Sequence, residues 1–445
     1  MLLIYVPKLT NRLGYTINVV MRDILQTEFA ITTDVPVFES HEGPRLCYGQ
    51  QHWGGAATPF LKATNLLFET TIEDQDCRYF QLDEMPMLFP VFGRDAALPF
   101  DPFAAIFYML SRYEEYLPHR KDVHGRYMAS ESIAYRHGFL QIPVVDHWAL
   151  KIKDVILQFY PDAIFRKKKF TFQQTIDIDA AYSYLHKGVA RTCLGLFRDM
   201  ILKPDQQAVK QRVRVMMGKE TDPFDTFDYI IEQNIKYKHN SQLLFFALLG
   251  DYGIYDKPTS YQNPEFQQTL QHIGDFAKIG IHGSYYSTEN PRKLNTEIQR
   301  LSGILHRTIV RNRFHFLRFN IPQSYRELVR LGVRHDYSMG YADTPGFRNG
   351  TCSVLPFFDI SSNSELDIRL HPFVTMDTTF HTHMGISAQE AIDQYHTLID
   401  RVREVNGTFS CIFHNQNLSN DGDWAGWRDV YEEVLKYGSD DNNKD

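Results

Sequence analysis

From about residue 165 onward, strand-like runs alternate with helical ones, and this alternation restricts the possible fold more than any other feature of the sequence. A strand, a helix and a second strand make the repeating unit of a parallel sheet, because parallel neighbours need a long crossover. The strand-like runs are Phe170 to Ile178, Leu243 to Leu249, Ile279 to His282, Phe314 to Phe319, His335 to Met339, Leu366 to Thr375 and Phe409 to His414. Helical spacing marks Phe266 to Phe276, Asn295 to Leu305, Ser324 to Leu331, Ala388 to Val405 and Trp424 to Lys436. These elements predict an α/β fold whose sheet curls into a distorted (β/α)7-type barrel. A helical excursion, about Tyr182 to Lys238, interrupts the first two strands. It is expected to cover the barrel, the other reading being contact with a membrane surface.

The first part of the chain reads differently. Leu2 to Val6 is strand-like, Ile17 to Gln26 is helical, and Gly54-Gly55 marks a turn. Asp101-Pro102 opens a helix, with Asp as the cap and Pro in the first turn, running through Ser111-Arg112. A further helix spans Trp148 to Tyr160, and Pro161-Asp162 with the basic turn Arg166 to Lys169 marks a boundary. The expected organisation is a smaller N-terminal α+β domain over 1–165, the barrel over 166–437 and a disordered polar tail over 438–445.

Composition narrows the function classes. A net charge of −7 speaks against a general nucleic-acid binder, which needs a basic field. Five scattered cysteines, Cys47, Cys77, Cys193, Cys352 and Cys411, form neither a disulfide framework nor a thiolate zinc site, which fits a reducing compartment. The opening MLLIYVPK has no basic leader and too short an apolar run for a signal peptide. No segment reaches the roughly 20 apolar residues of a membrane span. A cytoplasmic protein is therefore expected, with membrane contact only at a surface and the oligomeric state open. The 32 Phe and 25 Tyr serve chiefly as core, with stacking on sugar faces as the second reading.

The chemistry-bearing candidates fall at predicted strand ends, the rim where barrel enzymes collect their catalytic groups. Asp177 and Asp179, in Thr175-Ile176-Asp177-Ile178-Asp179, are two apart and point the same way from an extended chain. Such a pair can divide labour between binding a cation and taking a proton. His282, in Ile281-His282-Gly283, and His414, in Phe413-His414-Asn415, are each carried to the rim by an apolar strand. Each alone could be a turn histidine; the conjunction on three strands points to a site. Arg318 and Arg348 are candidates to compensate a catalytic carboxylate. Asp336 or Asp377 could orient His414. His381-Thr382-His383 reads as loop histidines. There is no Walker loop, no G-x-G-x-x-G and no G-x-S-x-G elbow.

The order D-x-D, strand-end His, Arg-containing segments, strand-end His resembles the polysaccharide deacetylase (NodB homology) superfamily over about residues 166–437. The N-terminal part, with Asp101-Pro102, Arg112 to Tyr116 and Asp122-Val123-His124-Gly125-Arg126, resembles the accessory domain that precedes this module in a group of bacterial, often Bacteroidetes-type, deacetylase-like proteins. The resemblance implies Asp177 as base, Asp179 and His282 as metal ligands and His414 as general acid. It maps the family's Arg–Pro motif to Arg318 and Pro322, with Arg348 as second choice. The family places a second His or a Ser four residues after the metal His. Here that position is Tyr286, so Ser287 or water is the third ligand implied. The implied cofactor is a divalent cation, zinc first, then cobalt, nickel or manganese. The implied reaction is hydrolysis of N-acetyl groups on an amino sugar in a glycan, glycan precursor or glycolipid. The rivals are an inactive carbohydrate-binding protein on the same fold and a phosphatase using Asp177 as nucleophile.

Overall fold

The computed structural model describes residues 1–188, 201, 206–237 and 241–440. Cys193, much of the excursion predicted between the first two barrel strands, and residues 441–445 of the predicted tail lie outside these.

The N-terminal part is built on four strands, β1 (Leu2–Tyr5), β2 (Phe29–Thr32), β3 (Arg45–Gly49) and β4 (Phe60–Lys62). They pair in parallel in the order β2-β1-β3-β4. Helix α1 (Asn11–Asn18) starts at Thr10, whose hydroxyl accepts from the Leu13 N–H, and runs into a wide π turn over Val19–Ile24. After α2 (Val35–Glu39) and the hairpin β5 (Phe80–Leu82) and β6 (Met85–Met87) comes α3 (Pro102–Leu110), buried along its whole length. Asp101 caps it, accepting from the Ala104 N–H at 3.0 Å and from the Tyr48 hydroxyl and Thr64 as well. The short α4 (Ile133–Arg136) and the amphipathic α5 (Val144–Phe159) complete this part.

The second part begins with β7 (Thr171–Ile178). Helices α6 (Gln206–Met216) and α7 (Phe227–Lys236) lead to β8 (Ser241–Ala247), α8 (Pro264–Phe276), β9 (Lys278–Gly283), α9 (Pro291–Leu305) and β10 (Arg311–Phe314). Then follow α10 (Gln323–Arg330), β11 (His335–Asp336), β12 (Leu355–Asp359), β13 (Ser364–Leu370), β14 (Thr375–Met376), α11 (Ala388–Glu404), β15 (Thr408–His414) and α12 (Trp427–Ser439). The sheet order is β12-β13-β11-β10-β9-β8-β7-β15-β14, parallel throughout except for β12 against β13. One run of chain spans its two flanks. His371 and Phe373 donate to the Asp336 and Met339 carbonyls after β11, and Val374 then donates to Ser410 in β15. The result is an α/β fold with a distorted barrel.

Two elements differ from the sequence reading. The strand expected over Phe314 to Phe319 is Arg311–Phe314, and the chain then turns sharply through Phe316 and Leu317, both left-handed. The run drawn as one strand from Leu366 to Thr375 is β13 plus the separate β14, and β13 forms a hairpin with the unexpected β12. A Ser361-Ser362-Asn363 turn, with Asn363 left-handed, joins that hairpin. Helix α12 continues to Ser439, into the stretch predicted as tail.

Alternation along each strand separates a helix-facing set from an interior set. On β7, Phe172, Ile176 and Ile178 join the buried layer with Leu270, Ile298, Leu398 and Val430 of the helices. Thr175 and Asp177 face the other way. Inside the barrel, Gly280 has no room for a side chain: a Cβ there would lie 2.6 Å from the Phe246 ring. The ring fills that space, and the Arg313 guanidinium lies 4.4 Å from its centroid.

The two parts of the chain are joined by buried charge. Arg112 donates to Glu115 at 2.8 Å and to Glu114 at 3.1 Å, and also bonds the Arg348 carbonyl. Arg348 grips the same Glu115 with two bonds of 3.0 and 2.7 Å. Burial alone would raise the Glu115 pKa, but Arg348 and Arg112 outweigh it and hold it at about 2. A depressed carboxylate contributes stability above its ordinary value of 4.5, and that contribution is lost as pH falls through about 2. Glu115→Gln is expected to cost about 3–5 kcal/mol, the usual cost of leaving buried charges unpaired. It should also flatten the stability profile between these pH values; denaturant unfolding of both proteins across that range checks this.

Candidate active site

The parallel register sets the site. His414 of β15 lies level with Asp177 of β7, and His282 of β9 lies level with Arg313 of β10. Asp179 follows Asp177 by two residues, so its side chain leaves from the same face just beyond the strand end. All these side chains converge at the C-terminal rim of the sheet.

Asp179, His282 and His315 bring one ligand atom each within 4.8 Å of one another. His282 Nε2 is 3.4 Å and His315 Nε2 3.6 Å from Asp179 Oδ1. The far nitrogens are already committed. His282 Nδ1 sits 2.9 Å from the Arg313 carbonyl, which can only accept, so Nδ1 carries the proton. His315 Nδ1 sits 2.8 Å from the Asp256 carboxylate. Neutral imidazole is the form that binds a metal, and in that form each ring would present an Nε2 lone pair beside Asp179. Asp179 Oδ1 itself is buried and has no hydrogen-bond donor. Three lone-pair donors meeting around an unsatisfied buried oxygen suit a divalent cation, and the outer carbonyl and carboxylate orient the rings as at metal sites. Burial opposes the charged form of Asp179, yet the rings of His315, His282 and His414 hold it well below the usual carboxylate range. Burial likewise opposes a charged His315, but Asp179 and Asp256 carry it up to about 9.

Two proton-handling groups flank this trio. Arg313, fully buried, donates from Nη1 to Asp177 Oδ1 at 2.6 Å and from Nε to the Tyr337 carbonyl at 3.0 Å. Oδ2 of Asp177 is thereby left facing His282, 3.6 Å from its Nε2. His414 Nδ1 meets Asp377 Oδ1 at 2.7 Å, while the other Asp377 oxygen accepts from the His414 backbone N–H and from Asn417. Burial would keep the His414 ring neutral, but Asp377 foremost, then Asp179 and Asp177, carry it up to about 10.

Two hollows meet at these residues. An inner cavity of about 300 Å³ is lined by Asp177, Asp179, His282, His315 and His414 together with apolar Leu317, Ala342 and Met376. An outer cleft of about 740 Å³ shares Asp179, His315 and Phe316 and extends past Tyr184, Phe224, Tyr255 and Trp424.

The structure brings Asp177, Asp179, His282 and His414 together and places the other candidates elsewhere. Ser287 donates its hydroxyl to the Ser284 carbonyl at 2.7 Å, and His315 stands in the third position instead. Arg318 bonds the His124 and Tyr285 carbonyls and pairs with Glu289, so it does not reach Asp177; Arg313 does. Arg348 belongs to the Glu115 network. Of the two acids considered for His414, Asp377 touches it. Asp336 instead bonds Asn312 and Ser338, burial pushing it up to about 6. His381 bonds the Asp423 carbonyl and stacks on Trp424, 3.9 Å between centroids. The signal for Arg313 and His315 was their spacing: two residues apart at a strand end, they share the interior face. Drawing that strand to begin at Phe314 hid them.

Residues 2–161 match a family described as being of unknown function, DUF7033. No curated protein matches the chain. Among solved structures, a Mycobacterium smegmatis protein named as a polysaccharide deacetylase is similar at 16% identity, over 61% of this chain and 85% of that one, with a TM-score of 0.38. A Pseudomonas aeruginosa PAO1 protein of the same designation is similar at 14%, over 61% and 85%, with a TM-score of 0.36. A Bordetella bronchiseptica protein, also so designated and named as involved in O-antigen biosynthesis, is similar at 12%, over 61% and 84%, with a TM-score of 0.32.

Titration of the metal-free protein with Zn²⁺ separates the two candidates for the third ligand. His315→Ala is expected to weaken binding at least about 10-fold, as loss of a ligand or its orienting shell does, and Ser287→Ala to leave it unchanged. The reverse pattern would restore Ser287 as ligand.

Proposed function

We propose that the chain is a metal-dependent hydrolase that removes an N-acetyl group from an amino sugar in a glycan, glycan precursor or glycolipid. One observation carries the reading. A three-atom ligand set around the donor-less Asp179 oxygen lies between two oppositely equipped groups, the Arg313-bound Asp177 and the Asp377-bound His414. Amide hydrolysis needs that combination: a polarised carbonyl, a base for water and an acid for the departing nitrogen.

Asp179, His282 and His315 would hold the cation, zinc in first place, then cobalt, nickel or manganese. When bound, it supplies Lewis acidity to the amide carbonyl and acidity to water at neutral pH. Asp177 takes the proton of the attacking water at Oδ2, since Arg313 occupies Oδ1. His414 gives its Nε2 proton to the leaving nitrogen, while Asp377 fixes the ring through Nδ1. The inner cavity, with Leu317, Ala342 and Met376, receives the acetyl methyl, and the outer cleft takes the sugar, with Tyr255 and Trp424 as stacking surfaces. The barrel over 166–437 carries this chemistry, and residues 1–165 form the accessory part. No described helix is long and apolar enough to cross a membrane. The working assignment is a cytoplasmic enzyme acting on a precursor or lipid-linked sugar.

Two observations favour the hydrolase over its rivals. The inactive reading drew on a missing third ligand, and His315 is available for that place. The phosphatase reading leaves His282, His315 and His414 without a task, and the inner cavity has no lysine among its described lining residues.

Bound metal and acetate release are measured together on N-acetylated sugars. Asp179→Ala and His282→Ala are expected to lose both. Asp177→Asn and His414→Ala are expected to keep the metal and lose about 10²–10⁴ in kcat, the usual worth of a general base or acid. A metal-loaded wild type that releases acetate from no N-acetylated sugar would favour the binding protein. Undiminished release by Asp177→Asn and His414→Ala would remove them from the mechanism.

A further inference from the structure

Of the three proposed ligands, His315 is the one whose position local structure does least to guarantee. It lies one residue past the end of β10, and the next two residues, Phe316 (φ 59°) and Leu317 (φ 51°), are both left-handed without being glycine. Non-glycine residues hold that conformation only where their surroundings over-determine it. Tyr255, Tyr285 and Asp256 supply part of those surroundings from the barrel, and the N-terminal part of the chain supplies the rest.

A tight loop, Lys121 to Tyr127, reaches across to the His315 turn. Its ends pair as an antiparallel bridge, and Gly125 takes φ 76° at its tip. Asp122 locks it from within, accepting from the backbone N–H groups of His124 and Arg126 and from Arg126 Nε at 2.7 Å. So fixed, Arg126 donates from Nη1 to the Phe316 carbonyl at 2.8 Å, the peptide unit next to His315. The His124 ring packs edge-on against Phe316, 5.0 Å between centroids, and its Nδ1 meets the Tyr285 hydroxyl at 3.1 Å. The His124 carbonyl accepts from Arg318 at 2.9 Å, and Lys121 donates to Asn320 at 3.2 Å. Three residues of one short loop, Lys121, His124 and Arg126, thus hold the stretch 316–320 that follows the ligand. Arg126 also lines the inner cavity with Asp177, Asp179 and His414.

We infer that the loop 121–127 is a strap that holds His315 in its ligand position, so that the N-terminal region of unassigned role is needed for metal binding by the barrel. Arg126 and His124 are positioning residues: they act through the Phe316 peptide and ring. This rests on the metal reading given above, and it gives the region matched over residues 2–161 a defined task.

The test is Co²⁺ binding to the metal-free full-length protein, read as affinity and as the visible absorption spectrum, which reports the ligand set independently of activity. Wild type, Arg126→Gln, Arg126→Lys, the double variant His124→Ala/Arg126→Gln and His315→Ala are compared. Arg120→Ala serves as control; it alters an exposed pair with Glu131 in the same region. The strap variants are expected to bind Co²⁺ about 10- to 100-fold more weakly, the usual effect of removing an outer support of a metal ligand. Their spectra should move toward that of His315→Ala. Lysine at 126 should behave like glutamine, because an ammonium cannot span Asp122 and the Phe316 carbonyl as a guanidinium does. Thermal melting of each metal-free variant checks that it is folded; a variant that does not fold is set aside and the remaining ones decide. Wild-type affinity and spectrum in the folded strap variants would overturn the inference while leaving the metal reading intact. A wild type that binds no Co²⁺ or Zn²⁺ would overturn the metal reading itself, and this inference with it.

Discussion

The register of parallel strands is the constraint on which the rest of this structure depends. Because β15 pairs with β7 so that His414 stands level with Asp177, the proposed base and acid lie on neighbouring strands at one height. Because β10 pairs with β9 so that Arg313 stands level with His282, the cation that balances Asp177 lies beside a candidate ligand. A slip of one residue in either pairing would turn these side chains into the helix layer, where Phe172, Ile176 and Ile178 now pack. The hydrophobic pattern forbids that slip, since it would bury charge among apolar helices at a cost of several kcal/mol per ion. The apolar face of the barrel therefore fixes the position of its polar interior.

Within that interior, two groups that could do similar work are given different surroundings. Asp177 has one guanidinium at 2.6 Å, itself flat against the Phe246 ring in the space Gly280 leaves open. His414 has a carboxylate at 2.7 Å that is held in turn by its own backbone N–H and by Asn417. The guanidinium fixes which oxygen of Asp177 stays open, and the carboxylate keeps His414 protonated. Asp179 has no such charged partner: Gln416 donates to Oδ2 at 3.4 Å and imidazole nitrogens stand 3.4 and 3.6 Å from Oδ1, surroundings that suit a cation better than a proton.

Much of this was legible in the sequence, and the failures have identifiable physical causes. The alternation of strands and helices, the D-x-D at the end of β7 and the histidines ending β9 and β15 are visible because each follows an apolar run with a clear period. The Asp101 cap is visible because Pro102 follows it. Arg313 and His315 were missed because β10 is only four residues long and its apolar signal, Phe314 with Phe316 and Phe319, continues past the strand into a left-handed turn. Residues that look like one strand are a strand and a kink, and the arginine chosen, Arg318, lies beyond the kink. Arg348 was misplaced for another reason: its partner Glu115 lies 233 residues earlier, a separation no local pattern reveals. Ser287 is a candidate in the sequence because Tyr286 holds the position four residues after His282 and Ser287 is next to it, but its hydroxyl is satisfied locally, three residues back at Ser284.

The N-terminal part meets the barrel at many places, among them Asp146 with Thr351 and Ser353 and Tyr15 with Pro356, and two of its contacts lie near the candidate site. Arg112 and Glu115 hold Arg348 in the chain after β11, and Arg126 and His124 hold the turn after β10. The loops after β7, β8 and β15, with Tyr184, Tyr255 and Trp424, line the outer cleft instead. Under the proposed function a substrate would approach across the β7 and β15 side, because Arg126 and His124 of the N-terminal part stand over the turn after β10. Closing one side of a barrel mouth with another part of the same chain has two consequences. It excludes water from the inner cavity on that side, which strengthens every electrostatic interaction there. Under the proposed function it would also restrict the direction in which a long glycan can lie, its acetylated residue entering past Trp424 and Tyr255 toward Asp179. On that reading the N-terminal part shapes the entrance by standing over a part of the rim that the substrate does not use.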